Sequence, residues 1–152
     1  MQNEDILRYA LETMFPQLRD TGYRITSPAD RVYNCIAWAA GQTDKWWWPI
    51  GRVDPDYYWP PQVPDEETIP AFVQLFQSLG YTQTTDDGLI EGVEKVALYA
   101  RNDKPTHAAR QLPSGLWTSK LGNAVDIEHT LLGLVGDAYG AVVEFFQRPL
   151  RE

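Results

Sequence analysis

Three side chains of this 152-residue chain carry nucleophile and general-base chemistry together: one thiol, Cys35, and two imidazoles, His107 and His129. Cys35 follows Asn34, a good N-cap. The thiol therefore opens a short apolar helix, Cys35 to Ala40, with Gly41 as its stop. Free backbone N–H groups and the positive end of the helix dipole favour a thiolate there. A thiolate nucleophile wants an imidazole within hydrogen-bond reach. His107 lies in Thr106-His107-Ala108-Ala109-Arg110-Gln111, where small neighbours let another element approach closely. On a strand, His107 shares its face with Ala109 and Gln111, and Thr106, Ala108 and Arg110 take the other. The next strand offers a polar group to orient the imidazole, either Ser119 or Asn123 just after it. The competing reading makes Cys35 a small core residue and His107 a structural histidine bonded to backbone.

Other residues have two readings as well. His129 falls in the first turn of an expected last helix, where positive charge is disfavoured, and reads as a neutral surface or capping histidine. Arg110 and Lys120 share strands with the candidate site; they form cross-strand pairs or bind a substrate carboxylate. The run Trp46-Trp47-Trp48 is core filler or the wall of a groove, because three consecutive tryptophans are hard to bury together. Cys35, the histidines and the carboxylates lack short ligand spacing, so no metal is expected. No Walker motif, dinucleotide fingerprint, serine nucleophile elbow or zinc-protease helix occurs, so no cofactor is expected.

The elements that must position these residues follow from periodicity and punctuation. Ile6, Leu7, Ala10, Leu11 and Met14 fall at helical spacing, ended by Pro16. Gly22 to Thr26 reads as a short extended piece. From Lys45 to Pro64, aromatics and prolines, Pro55 among them, are too dense for helix or central strand, which predicts a long ordered loop. A helix begins near Thr68 with Pro70 in its first turn; Ile69, Phe72, Val73, Phe76 and Leu79 form its buried stripe, and Gly80 ends it. Strands are predicted at Tyr81–Thr85, Val93–Arg101, Thr106–Leu112, Leu116–Leu121 and Tyr139–Phe146, with turns at Asn102-Asp103-Lys104-Pro105 and Pro113-Ser114-Gly115. Asp126 is expected to cap a last helix through Leu134, ended by Gly136. Helices first, then a run of strands, argue for α+β.

Composition narrows the function classes. The length argues for one domain over residues 1–152. The net charge of −8, with no Lys/Arg cluster, argues against nucleic acid and anionic membrane surfaces. One cysteine makes neither an internal disulfide nor a Cys-based zinc site. No apolar run approaches a membrane span, and the polar, acidic N-terminus is unlike a secretory signal. A reducing, cytoplasmic setting is expected, with signal-independent export left open. The sequence does not fix an oligomeric state.

A cysteine opening a helix, then a histidine on an antiparallel strand, then a polar residue on the following strand resembles the papain-like chain order, shared by NlpC/P60-type and CHAP-type peptidases. Asn34-Cys35-Ile36-Ala37-Trp38-Ala39 resembles their cysteine helix, and His107 through Trp117-Thr118-Ser119-Lys120-Leu121-Gly122 resembles their histidine strand and the tryptophan-containing strand after it. On that resemblance Ser119 stands where the family has an asparagine. The oxyanion glutamine has no clear counterpart, and Asn34 is adjacent. The chain also resembles, through most of its length, a family of small, uncharacterised, mainly bacterial proteins. Tyr33-Asn34-Cys35-Ile36-Ala37-Trp38-Ala39, Trp48-Pro49, Ala97-Leu98-Tyr99-Ala100, Thr106-His107-Ala108-Ala109-Arg110, Trp117-Thr118-Ser119-Lys120-Leu121-Gly122 and Tyr139-Gly140 carry that resemblance.

Together these readings predict an α+β, papain-like (NlpC/P60-like) core, with the cysteine helix packed on an antiparallel sheet of about four to five strands. The expected activity is that of a thiol hydrolase or acyltransferase on amide, isopeptide or peptidoglycan-like bonds of a peptide or protein. Cys35 is the nucleophile, His107 the base that holds it as an ion pair, and Ser119 the orienter. Asn34, Trp48, Trp117, Arg110 and Lys120 contact the oxyanion or substrate. The alternative is a non-catalytic binding module, adaptor or immunity-type, that uses the Trp/Pro loop.

Overall fold

The structure is a computed structural model that describes residues 3–49 and 56–150. The centre of the Trp/Pro loop, Pro55 included, lies outside the described residues.

Helix α1 (Asn3–Met14) opens with Glu4 and Asp5, whose charges suit a helix N-terminus, and α2 (Gln17–Thr21) follows Pro16 directly. Leu11, Phe15 and Leu18 are the residues this pair buries. Ile6 and Met14 of the helical pattern are exposed, and the helix packs through Leu7 and Leu11. Strand β1 (Tyr23–Ser27) leads to α3 (Cys35–Ala39), which Asn34 caps as the sequence indicates. In the Trp/Pro loop, β2 (Trp46–Trp47) and β3 (Tyr57–Tyr58) pair in parallel over two residues. Helix α4 (Ile69–Ser78) is capped by the Thr68 hydroxyl and carries Pro70 in its first turn, where the missing N–H costs nothing.

Next come β4 (Thr82–Thr84), β5 (Val93–Arg101), β6 (Lys104–Gln111), β7 (Trp117–Lys120), β8 (Asp126–His129), a 3-10 turn at Leu132–Leu134, and β9 (Ala141–Pro149). Seven strands form one antiparallel sheet in the order β1-β8-β7-β6-β5-β9-β4. The fold is thus α+β with an antiparallel sheet, larger than the four to five strands expected. Asn102 and Asp103 both have positive φ and close the β5–β6 hairpin as a two-residue turn. Lys104 and Pro105, expected in that turn, already belong to β6, with Pro105 at a register shift where its missing N–H is tolerated.

The largest departure is at Asp126–Leu134, expected as a helix. Asp126–His129 is a strand flanked on both sides, by β1 and by β7. Leu131, Leu132 and Leu134 give the segment an apolar count that mimics a helix. Pairing on two edges satisfies its backbone better than an isolated turn would, so tertiary context overrides local propensity. His129 is therefore a core residue, not a capping one.

Side chains of the sheet alternate between two layers. Val96 and Leu98 of β5, with Ala108 of β6, meet α3 and α4 through Ile36, Phe72, Leu75 and Phe76. Ala97 and Tyr99 of β5, with Ala109 of β6, Trp117 of β7 and Ile127 of β8, meet α1 and α2. A sheet covered on both faces explains the continuous apolar run from Val96 to Ala100. Each of the fully buried Phe72, Leu75 and Phe76 contributes roughly 1.5–3 kcal/mol of burial free energy.

Candidate functional site

Cys35 lies on the floor of a cavity of about 420 Å³ lined by Asn34, Trp46, Trp48, Tyr57, Thr106, Gly122 and Tyr139. That is an ordinary size for a small-ligand or side-chain pocket. The tryptophan run divides its labour by alternation. Trp46 and Trp48 face the cavity, while Trp47 turns into the core. Trp48 packs edge-on to Phe72, ring centres 5.2 Å apart, and its Nε1–H donates to Glu67 at 2.8 Å.

Asn34 fastens this wall to the cysteine helix. Its Oδ1 accepts from the N–H of Ala37 (3.2 Å) and of Trp47 (3.0 Å), and its Nδ2 donates to the Trp47 carbonyl at 2.8 Å. With three bonds committed, Asn34 positions the cavity wall; the oxyanion role foreseen for it has little of the side chain left to use.

The ladder between β6 and β7 covers only two pairs, Arg110↔Thr118 and Gln111↔Trp117. Beyond these pairs, toward the β5–β6 turn, the two strands part, and the N–H of Ala108 points to the Cys35 sulfur there. The thiol also receives its own N–H and that of Ile36, and Lys120 adds positive charge nearby. Burial outweighs all of these and pushes the thiol up to about 11. The resting sulfur is protonated.

His107, the residue before Ala108, projects to the other face of the sheet. It is fully buried; its Nε2 lies 2.8 Å from Ser119 Oγ, and its Nδ1 has no hydrogen-bond partner. The imidazole stacks on Tyr139 at 4.2 Å and meets Tyr99 edge-on. Tyr139 also lines the Cys35 cavity, so one ring touches both groups' surroundings. Gly140 makes that placement feasible: with φ +79, its chain passes so close to the Ala100 carbonyl that a side chain would collide.

Ser119 Oγ is shared with a second imidazole, His129 Nε2 at 2.7 Å, whose Nδ1 lies 2.6 Å from the Thr130 carbonyl. Burial first, and then the neighbouring His129, pushes His107 well below the usual histidine range. Burial brings His129 down to about 4, against the Thr130 bond that favours its charged form. Both rings are neutral at pH 7.

The structure thus joins His107 to Ser119, and Cys35 to Asn34 and Trp48 around the cavity. Among the described residues no hydrogen bond joins Cys35 to His107; the preformed ion pair expected for them is absent, because burial keeps both groups neutral. Trp117 is buried on the face opposite α3, near Phe145. Arg110 stacks over Trp38 at 5.2 Å and borders a separate apolar groove with Leu89, Ile90, Leu112 and Leu150. Lys120 is buried, donates to the carbonyls of Asp30 (2.6 Å) and Gly122 (2.7 Å), and lies over the Tyr33 ring. Its ammonium is held by the fold and acts on the thiol as a fixed charge. Asn123 is exposed in the turn after β7.

Sequence reasoning missed Thr106, Gly122 and Tyr139 in the cavity and His129 beside Ser119. The positional pairing of β7 with β8, which sets His129 next to Ser119, has no local signal.

A seven-stranded antiparallel sheet between two helical layers, with a cysteine under an aromatic cavity, defines an α+β protein with a pocket at its thiol. Residues 24–147 match the family described as Domain of unknown function (DUF7689), and the chain belongs to that family. No curated protein and no solved structure matches it.

Proposed function

We propose that this protein is a thiol hydrolase or acyltransferase of papain-like type, acting on an amide, isopeptide or thioester bond in a peptide or peptidoglycan-like partner. One observation carries the reading. Where β6 and β7 part, the Cys35 sulfur meets the Ala108 N–H at the floor of an open cavity, and the adjacent His107 keeps a buried, unpartnered Nδ1. A buried acceptor without a partner is costly, which argues that it is retained for use.

Because both groups rest neutral, His107 acts as a general base during attack. The thiol proton passes to His107 Nδ1 as sulfur bonds to the carbonyl carbon. The backbone N–H groups of Cys35 and Ala108 are placed to support developing negative charge. The imidazolium then gives its proton to the leaving amine as the C–N bond breaks. Water, or an acceptor amine, takes the acyl group from sulfur with the same nitrogen as base. At rest the two groups lie on opposite faces of the sheet, so the reaction requires His107 and the thiol to approach each other when substrate binds.

The second reading is a non-catalytic binding module in which the aromatic cavity grips a partner and Cys35 is inert. The thiol pushed up to about 11 favours it.

Intact-mass measurement of iodoacetamide labelling separates the two. The enzyme reading expects one adduct on Cys35 in folded protein at pH 7–8, formed at least about tenfold more slowly in His107→Gln, since a positioned general base contributes that or more. Labelling only after unfolding would leave the binding module.

A further inference from the structure

His129 and Ser119 together decide which nitrogen of His107 is bare. The carbonyl of Thr130 can only accept, so the bond at 2.6 Å requires His129 Nδ1 to donate. Burial keeps this ring neutral at pH 7, so its single proton is spent there and Nε2 is a bare acceptor. Ser119 has one hydroxyl hydrogen, and at 2.7 Å it goes to His129 Nε2. The same oxygen then accepts from His107 Nε2–H at 2.8 Å. His107 Nδ1 is left with a buried lone pair that no described donor meets.

We infer that His129 is a positioning residue: acting through Ser119, it fixes His107 in the Nε2–H form, so that Nδ1 is the base toward Cys35. This rests on the thiol-enzyme reading for its purpose, while the proton assignment itself rests on the hydrogen-bond geometry and the neutrality of the buried rings. The chain Thr130 carbonyl, His129, Ser119, His107 runs across β8, β7 and β6 on one face of the sheet, with His129, Ser119 and His107 all buried. Where other thiol enzymes would use a carboxylate or amide beside the histidine, this chain uses a hydroxyl aimed by a second histidine.

The test is long-range proton–nitrogen NMR of histidine-labelled protein, with Cys35 alkylation measured alongside. Wild type is expected to show His107 protonated on Nε2 and His129 on Nδ1. His129→Gln supplies an acceptor for the Ser119 hydroxyl and retains the His107 form. His129→Leu removes it; the hydroxyl turns to His107 Nε2 and the proton moves to Nδ1. Cys35 alkylation then slows about tenfold or more, the scale on which groups that orient a reactive partner act, while His129→Gln stays near wild type. A wild-type His107 protonated on Nδ1 overturns the proposal even if His129→Leu does not fold. So does a His107 form that ignores the loss of His129. If the tautomers are as expected but His107→Gln alkylates like wild type, the thiol-enzyme reading fails and the positioning role fails with it, while the proton assignment stands.

Discussion

Acid should destabilise this protein well above the range in which ordinary carboxylates titrate, because two histidines are buried as neutral rings. His129 ionises near 6.5 when unfolded and near 4 when folded. The unfolded chain therefore binds a proton that the native state refuses. Stability is complete above pH 6.5 and falls as pH drops from there to about 4. At about 1.4 kcal/mol per pH unit, His129 alone removes roughly 2 kcal/mol by pH 5 and roughly 3 kcal/mol by pH 4. His107 is also held below its ordinary range by burial and adds loss of the same sign. Asp126 works the other way. Burial, opposed by the Tyr33 hydroxyl, Ser27 and Lys120, raises its carboxyl, so its protonation relieves part of the loss at the acid end. Against a typical total of about 5–15 kcal/mol, the histidine effect is large. Urea melts at pH 7.5, 6.5, 5.5 and 5.0 should show the midpoint falling by about 1 M or more between pH 6.5 and 5, for a slope near 2 kcal/mol per M. His129→Gln, which cannot ionise, should flatten that fall. A midpoint constant from pH 7 to 5, or a fall that His129→Gln leaves intact, would refute the burial of two neutral imidazoles.

Three further outcomes follow from the same geometry. Asn34→Ala loses the cap on α3 and both bonds to Trp47; about 2–3 kcal/mol and a melting temperature lower by roughly 4–12 °C are expected by calorimetry. Gly140→Ala places a Cβ against the Ala100 carbonyl in a left-handed backbone, so the variant should yield little folded protein by circular dichroism and gel filtration. Lys120→Met removes a positive charge that lowers the thiol, so the midpoint of Cys35 alkylation against pH should move upward from about 11; an unchanged profile in folded variant would mean the charge does not reach the sulfur.

Much of this architecture is written locally in the chain. Asn34 before Cys35, Thr68 before Ile69-Pro70, and Asn102-Asp103 between two apolar runs each specify their element through backbone chemistry within a few residues. The face rule for His107 is equally local: alternation puts Ala109 with it and Ala108 opposite, as observed. What it hides is non-local. Asp126–His129 carries leucines just beyond it that imitate helical periodicity, and only β1 from the far end of the chain reveals it as an inner strand. Missing that strand meant missing that Ser119 faces two histidines and not one. The cavity was half legible. A tryptophan triplet signals a wall, but the Tyr139 side of it depends on a glycine crossing the backbone of β5.

The central claim, that Cys35 transfers acyl groups with His107 as base, is tested most directly by intact-mass spectrometry after exposing folded protein to a small activated thioester at pH 7.5. The account predicts one acyl group on Cys35 that disappears with time, absent in Cys35→Ala and slow to form in His107→Gln. Folded protein that acquires no adduct, while the unfolded chain acquires one readily, would contradict it and leave the aromatic cavity as a binding site over an inert thiol.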